Sequence, residues 1–205
     1  MDPETDLADR LRTATAAAHR AVERTPFIRR MLRGEATPAD HLGLLTALLP
    51  IYGALEAGLA RHQGDPRLAW IDLAALRRAP AIARDLEHFT APRPAAVPAA
   101  LAYADHLHAL ADAAPALLIA HAYTRYLGDL AGGQVLRKLA ARSLGLSEGP
   151  GLEFYAFPGE PDELRRAFRA GLARAPVDER EASAIVDEAR LAFERHGELF
   201  AELAA

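Results

Sequence analysis

The sequence contains no cysteine and only one lysine, Lys138, among its 205 residues. Without cysteine the chain cannot form a disulfide, a thiolate metal site or an iron–sulfur cluster, and it lacks a cysteine nucleophile. The net charge of −4 at pH 7 is the opposite of the basic balance that favours unspecific binding to nucleic acid. These absences predict an acidic protein of a reducing compartment with no nucleic-acid partner.

Long apolar runs are also missing from the sequence. The longest stretch without a fixed charge, residues 41–55, has fifteen residues. Spanning a bilayer takes ~20, so this stretch predicts a buried helix instead. Residues 1–6 are acidic where a secretory signal would be basic and then apolar. We therefore expect a cytoplasmic protein without a membrane anchor.

Alanine, in contrast, is abundant, with 47 residues, and hydrophobic residues make up 51% of the chain. Alanine has the highest helix propensity, and apolar residues recur at helical spacing between proline and glycine breaks. The predicted helices cover residues 7–22, 27–33, 38–61, 72–89 with an interruption or restart at Pro80, 98–113, 115–144, 160–175 and 177–203. Because no strand-turn-strand pattern accompanies them, we predict one all-α, multi-helix domain over residues 1–205.

Three glycines, Gly128, Gly132 and Gly133, lie inside the helix predicted for residues 115–144. Each costs ~1 kcal/mol relative to alanine in a helix interior, so their presence needs a reason. Gly128 and Gly132 share one helix face, where a missing Cβ lets another group approach the backbone. Two explanations stand equally: another helix packs on this face, or a ligand does. A phosphate loop does not fit, because no strand precedes the glycines and their spacing differs.

Two carboxylates, Asp129 and Glu23, each follow by four residues a side chain with which they can interact on one helix face. Arg125 and Asp129 can pair at the edge of the glycine face, although a solvated surface pair has the same spacing. Glu23 can orient the imidazole of His19 for metal binding, although a partly buried structural histidine is the commoner case. Residues 10–33 contain seven arginines and one acid, a pattern that indicates either an anionic ligand or acidic partner or a solvated face.

Three segments together resemble the haem oxygenase family. They are residues 14–23 with the pattern A-T-x-x-x-H-x-x-x-E, residues 121–136 with HAYTRYLGDLAGGQVL, and residues 151–158 with GLEFYAFP. Weaker matches at 51–56 and 191–200 fall in the same order, so the resemblance covers nearly the whole chain. It implies an all-α fold that holds haem between a proximal and a distal helix. It also implies cleavage of haem to biliverdin, carbon monoxide and ferrous iron with O₂ and external electrons.

The resemblance further implies roles for individual residues. The expected catalytic residues are Tyr52, Arg125, Gly128 and Asp129. The expected haem contacts are Arg12, His19, Glu23, Tyr123, Gly128, Gly132, Arg165, Arg169, Phe193 and Phe200. His19 is expected to be the iron ligand, and Asp129 is expected to anchor the water that donates a proton. Arg12, Arg165 and Arg169 are expected to contact the haem propionates.

Three positions depart from the family's usual residues. Ala16 replaces a second basic residue, Ala131 replaces a serine beside the glycine pair, and His196 takes a polar position where relatives carry an amide. By the same resemblance, haem is both cofactor and substrate and O₂ is the second substrate. The electron donor is expected to be a ferredoxin, a flavodoxin or a reductase that docks on the arginine-rich residues 20–33.

Three other functions compete with this hypothesis. A haem carrier or sensor would use the same pocket without turnover, but it would need neither Asp129 nor the glycines. A helical thiamin-degrading enzyme of related architecture requires a cysteine nucleophile, which is absent. A di-iron carboxylate bundle is suggested by the (i, i+3) pairs Asp85/His88 and Asp105/His108, although the usual motif has glutamate at the acidic position.

Overall fold

The computed structural model describes residues 6–147 and 149–205. Every regular element in these two ranges is helical, which confirms the predicted all-α class. Nine α-helices follow one another in these ranges: α1 (Leu7–Glu23), α2 (Pro26–Leu32), α3 (Pro38–Arg61), α4 (Leu73–Leu76), α5 (Ala79–His88), α6 (Pro98–Ala113), α7 (Leu118–Leu144), α8 (Pro161–Ala173) and α9 (Glu179–Glu202). Short 3₁₀ turns at Pro115–Leu117 and Glu153–Tyr155 precede α7 and α8.

Local sequence accounts for several helix ends. Asp6 accepts a hydrogen bond from the backbone N–H of Asp9 at 2.9 Å and caps α1. Thr37 and Asp40 form a reciprocal capping box at the start of α3. Gly145 ends α7 with a φ of +67°, the left-handed conformation that glycine adopts without strain. These ends lie within two residues of the predicted ones.

The helix predicted for residues 72–89, interrupted or restarted at Pro80, is divided there in the structure: α4 ends at Leu76 and α5 begins at Ala79. The break falls before Ala79, and Pro80 lies inside the first turn of α5. The carboxylate of Glu56 accepts hydrogen bonds from the backbone N–H groups of Arg78 and Ala79, at 2.5 and 3.1 Å. A tertiary contact from α3 thus adds to the local proline signal at the start of α5.

Helix α3 lies at the centre of the fold, where it packs against α5, α6 and α7. By length and composition it could cross a membrane, but 72% of its most apolar 18-residue window is buried by the rest of the protein. This is the environment of a core helix, as predicted for residues 41–55.

Helices α1 and α7 both pack against α8 and α9. They leave a cavity between them, which residues of both helices line. The fold thus places the predicted histidine helix and the predicted glycine helix on the walls of one cavity.

Candidate functional site

The cavity between α1 and α7 has a volume of about 650 Å³. It is lined by residues of α1, α2, α7, α8 and α9. The predicted site residues among them are Arg12, His19, Glu23, Tyr123, Gly128, Gly132, Arg169 and Phe193. The structure therefore brings most of the predicted haem contacts together, although they lie far apart in the sequence.

The remaining predicted site residues do not line this cavity; they are Tyr52, Arg125, Asp129, Arg165 and Phe200. Arg165 forms an ion pair with Asp162 on its own helix at 2.9 Å. Phe200 is buried and stacks on Phe27, with 5.9 Å between ring centroids. Of the basic residues predicted on α8, only Arg169 thus faces the cavity in this structure.

The cavity-facing glycines of α7, Gly128 and Gly132, do not pack against another helix that the structure describes. A Cβ atom built on Gly128, Gly132 or Gly133 meets no atom within 4 Å among the described residues. The explanation by helix packing is therefore wrong for this face, since no helix covers it. Gly128 and Gly132 line the cavity instead. Because they lack a Cβ, they expose backbone to the ligand of the cavity, at a cost in helix propensity.

His19 lies on the cavity wall with its side chain 53% exposed. The Oε1 atom of Glu23 is 3.6 Å from Nδ1 of the imidazole, and the edge-on ring of Phe193 is 5.7 Å away between centroids. The carboxylate thus contacts the ring nitrogen that orients the imidazole and leaves Nε2 as the metal-binding atom.

Exposed apolar side chains mark the cavity as a site for an apolar ligand, a feature that sequence reasoning missed. Leu32 is 44% exposed and Val135 is 55% exposed, and both line the cavity. Large exposed hydrophobic groups that cluster at one cavity usually mark a binding site. Helical spacing could not identify these exposed apolar residues, because apolar residues at helical spacing are predicted to be buried.

Positively charged side chains also line the cavity. Arg12, Arg20 and Arg169 line it, and Arg12 also pairs with Asp9 at 3.1 Å. The Arg12 side chain is 65% exposed, so it can exchange this weak surface pair for an anionic ligand group. A flat apolar molecule with acidic substituents fits this combination of walls.

A buried polar network lies next to the glycine face. Arg125 donates hydrogen bonds to Asp129 Oδ1 and to the Tyr52 hydroxyl, each at 3.0 Å, and Tyr52 donates to Asp129 Oδ2. The Arg125 and Asp129 side chains are 11% and 12% exposed, so the alternative of a solvated surface pair is wrong. Burial raises the pKa of the Asp129 carboxyl, and the charge of Arg125 opposes that rise.

His196 completes the network from α9. Its Nε2 lies 3.0 Å from Arg125 Nη1 and its Nδ1 lies 2.6 Å from the carbonyl oxygen of Ala192. Because arginine can only donate, Nε2 accepts and the proton is on Nδ1. Burial, and then the charge of Arg125, hold the pKa of His196 well below its ordinary value. The neutral ring thus offers Arg125 the acceptor that an amide oxygen could also provide.

The residues of the alternative di-iron site do not converge. Asp85 is buried and accepts backbone N–H groups of Glu153 and Phe154, at 2.9 and 2.7 Å. His88 is exposed, and both Asp105 and His108 are exposed on α6. Asp85 therefore serves to hold the segment before α8, and the described residues offer no di-iron centre at these positions.

Comparisons with known proteins agree with this geometry. Residues 5–202 match the family described as heme oxygenase. Heme oxygenase 2 of the cyanobacterium Synechocystis sp. is 36% identical, over 97% of this chain and 83% of that protein. The crystal structure of heme oxygenase-1 from Synechocystis sp. in complex with heme superposes with a TM-score of 0.90 at 33% identity, over 97% of this chain and 92% of that one.

A second solved structure, heme oxygenase-2 from Synechocystis sp. in complex with heme and NO, has a TM-score of 0.91 at 36% identity. It covers 97% of this chain and 85% of the other. Similarity of this extent, in sequence and in fold together, makes this chain a member of the haem oxygenase family.

Proposed function

We propose that this protein cleaves haem oxidatively to biliverdin, carbon monoxide and ferrous iron, with O₂ and electrons from an external donor. One observation carries the proposal: the imidazole of His19 and the bare backbone at Gly128 and Gly132 line the same cavity. When bound, haem supplies the iron that activates O₂ and also the macrocycle that is opened, so it is both cofactor and substrate.

The residues of the cavity fit this ligand. His19 would hold the iron through Nε2, with Glu23 orienting the ring through Nδ1. The apolar walls suit a macrocycle, and the missing Cβ atoms at Gly128 and Gly132 leave space for O₂ beside it. These roles support a ligand clamped between α1 and α7.

The arginines would orient the macrocycle. Arg12 and Arg169 line the cavity and can pair with the propionates, whereas Arg165 is engaged by Asp162. Ala16 also lines the cavity and brings no charge to it. We therefore propose that Arg12 and Arg169 together decide which edge of the macrocycle lies beside the glycines, and hence where the ring opens.

The network behind the glycines would position a proton source. Arg125 and Tyr52 donate to the two carboxylate oxygens of Asp129 and so fix the orientation of that group. Burial raises the pKa of Tyr52 well above its ordinary value, so its hydroxyl stays a donor. A water held by Asp129 can then carry a proton into the cavity, which makes Asp129 a positioning residue.

The electron donor would dock beside the cavity. Four exposed arginines lie in or directly after α1 and α2, two helices that also line the cavity, and would form a basic patch; they are Arg20, Arg24, Arg29 and Arg33. Arg30 of the predicted patch is instead paired with Asp40 at 2.6 Å. An acidic ferredoxin, flavodoxin or reductase is complementary to this patch. Turnover with such a donor is expected to fall as salt rises from 0.05 to roughly 0.5 M, and a salt-independent rate would exclude this docking mode.

The central experiment mixes the protein with haemin and a reductant in air. We expect the haem absorption bands to be replaced by those of a bilin, which chromatography identifies by isomer. Haem uptake without a bilin product would instead indicate the carrier or sensor.

Two variants assign roles within that reaction. His19→Ala is expected to lose the imidazole signature of the bound haem. Asp129→Ala is expected to bind haem and to lose biliverdin yield roughly 10²-fold or more, the usual cost of removing a group that directs proton transfer. Asp129→Glu serves as the conservative control. An unchanged yield in Asp129→Ala would contradict the role given to this carboxylate.

Two further predictions stay open to measurement. A single domain over residues 1–205 is supported by one cluster of buried side chains drawn from α1 through α9, and one cooperative unfolding transition is expected. A cytoplasmic location suits a reaction that takes electrons from a reduced donor, and cell fractionation tests it.

A further inference from the structure

Away from the haem cavity, three side chains from different helices have the geometry of metal ligands. His106 of α6, His121 of α7 and Glu188 of α9 place ligand atoms within 4.8 Å of one another. Nε2 of His106 and Nε2 of His121 lie 2.7 and 2.9 Å from one atom, Oε1 of Glu188. None of the three lines the cavity. We propose that they form a second metal site, for a divalent ion of the Zn²⁺ class.

The donor set suits such an ion. Two imidazole nitrogens and one glutamate oxygen form the ligand set of open zinc sites, in which water takes the fourth position. Bonds of about 2.0–2.1 Å in a tetrahedral site place ligand atoms roughly 3.3 Å apart. The observed separations are shorter by about half an ångström, so small rotations of the side chains admit the ion. His106 is 21% exposed and His121 is fully buried, so solvent and the ion enter from the His106 side.

The surroundings of His121 hold its ring ready for coordination. The hydroxyl of Tyr103 lies 2.8 Å from Nδ1, on the opposite side of the ring from Glu188. In the metal-free state Nε2–H donates to Glu188 and Nδ1 accepts from Tyr103. With metal on Nε2 the proton resides on Nδ1 and is donated to the Tyr103 oxygen, as metal-bound histidines commonly do. Metal binding thus changes the tautomer of His121 without a net loss of its proton.

Charge favours a cation at this place. Glu188 is 11% exposed, and its ion-pair partners in the described part of the chain are the two histidines. Burial acts to raise the pKa of Glu188, but the hydrogen bonds from His121 and His106 outweigh it and lower that pKa, so the carboxylate is ionised. Burial lowers the pKa of His121, which keeps this imidazole neutral and able to bind metal.

The arrangement therefore directs one largely buried carboxylate and two imidazole nitrogens at a single point, where the negative charge of Glu188 would attract a divalent ion. Arg195 also lies near these side chains, with its guanidinium carbon 6.0 Å from the centroid of the Tyr103 ring. It is not paired with Glu188. Hydrogen bonding without a metal would give the same short distances, so metal binding itself has to be measured.

The test is a titration of Zn²⁺ into tag-free, haem-free protein, followed by calorimetry and by competition with a chromophoric chelator. We expect one strong site per chain. His106→Ala and Glu188→Gln should each weaken binding at least tenfold, and Tyr103→Phe should weaken it roughly 10-fold or more, the usual effect of losing a partner of a metal-bound histidine. His108→Ala, an exposed histidine on the same helix, is the matched control and should bind as the parent does.

A second readout guards against variants that fold poorly. Zn²⁺ should raise the thermal midpoint of the parent and of His108→Ala, and should leave that of His106→Ala unchanged. Co²⁺ bound in place of Zn²⁺ should show the intense visible bands of tetrahedral coordination. Either of two results would overturn the proposal: no strong binding to the parent, or binding that survives His106→Ala and Glu188→Gln but disappears in His19→Ala, which would place the ion on the exposed His19/Glu23 pair.

The metal site shares no residue with the haem cavity. We therefore expect the same Zn²⁺ stoichiometry in protein saturated with haem. This keeps the outcome separate from that of the haem-cleavage assay.

Discussion

Two pairs of helical glycines in this protein have different surroundings: Gly58 and Gly171 are covered by other side chains, whereas Gly128 and Gly132 face the cavity. In the first group, a Cβ on Gly171 of α8 would collide with the indole of Trp70. A Cβ on Gly58 of α3 would lie 3.0 Å from both Ala111 and Leu118, closer than ordinary contact. At both positions the missing side chain allows another element to pack closely on the helix.

The second group has no such benefit. Around Gly128 and Gly132 a Cβ would meet nothing within 4 Å, although each glycine costs ~1 kcal/mol of helix stability. The comparison teaches that an uncovered helical glycine indicates function where it also lines a cavity, which exposed Gly53 of α3 does not. The same substitution should therefore have opposite effects on stability in the two groups.

The largest expected effect comes from filling the cavity side. Gly132→Leu places an isobutyl group where the macrocycle and O₂ are proposed to lie. We expect haem turnover to fall roughly 10²-fold or more, the scale associated with displacing a reacting group by about 1 Å. The free energy of unfolding of the haem-free protein should not fall, since leucine favours helix. Bilin yield and chemical denaturation measure the two quantities.

Gly53→Leu is the control for this change. Gly53 is exposed in the middle of α3, a Cβ there meets nothing within 4 Å, and the residue does not line the cavity. Its turnover should match that of the parent. If Gly132→Leu turned over haem at the parental rate, the cavity would not be the site of the reaction.

The buried imidazole of His41 should make the free energy of unfolding depend on pH below neutrality. Burial lowers the pKa of His41 to about 4 from an ordinary 6.5, so the unfolded chain takes up this proton before the folded one does. The uncharged state of His41 contributes fully to the free energy of unfolding above pH 6.5, and this contribution is lost as the pH falls from 6.5 to 4. The total loss is at most about 3 kcal/mol, at ~1.4 kcal/mol per pKa unit. Urea denaturation across this range should show a flatter pH profile for His41→Phe than for the parent.

His41→Phe is a suitable change because the imidazole already stacks on Tyr155, with 5.9 Å between ring centroids. Its Nε2 is buried without a hydrogen-bond partner in the described residues, so an apolar ring loses no polar contact at that atom, whereas at Nδ1 it loses a 3.5 Å contact with the Tyr155 hydroxyl. Identical pH profiles for the two proteins would refute the buried, uncharged state of His41.

A smaller loss of stability is expected where a glycine is covered. Gly171→Ala should lower the free energy of unfolding by about 1–3 kcal/mol, because overpacking against Trp70 exceeds the helix-propensity gain. Trp70 has little freedom to yield, since its indole N–H donates to the carbonyl oxygen of Arg67 at 2.7 Å. Urea denaturation measures the change, and parental stability in this variant would show that the indole moves at no cost.

The smallest expected effect has the opposite sign. Gly128→Ala lies on an exposed helix face and should raise the free energy of unfolding by up to ~1 kcal/mol. The added methyl group faces the cavity, so haem turnover should decline while stability improves. A variant that lost stability here would remove the distinction between the two groups of glycines.

Much of the fold could be predicted from the sequence because helix ends depend on neighbours in the chain. Thr37 and Asp40 cap α3, and Asp178 and Glu181 form the same box at α9. Pro80 likewise predicted the restart at α5, but the hydrogen bond from the backbone N–H of Arg78 to the carboxylate of Glu56 could not be predicted, because Glu56 is more than twenty residues away.

In the candidate site, too, the features that depend on local spacing could be predicted and those that depend on packing could not. The pairs His19/Glu23 and Arg125/Asp129 follow from a spacing of four on one helix, and the structure places both in contact. Helical spacing did not reveal that the second pair is buried, because burial depends on which elements cover a face.

The sequence by itself determined where the helices begin and end, that cysteine chemistry is absent, and that α7 carries glycines at a cost to its own stability. Those properties depend on residues close together in the chain or on composition alone. Only the tertiary structure decided that no helix covers these glycines, that Arg169 rather than Arg165 faces the cavity, and that His106, His121 and Glu188 converge. The reason is physical: each depends on the relative placement of helices distant in sequence, which is set by how their apolar faces pack together.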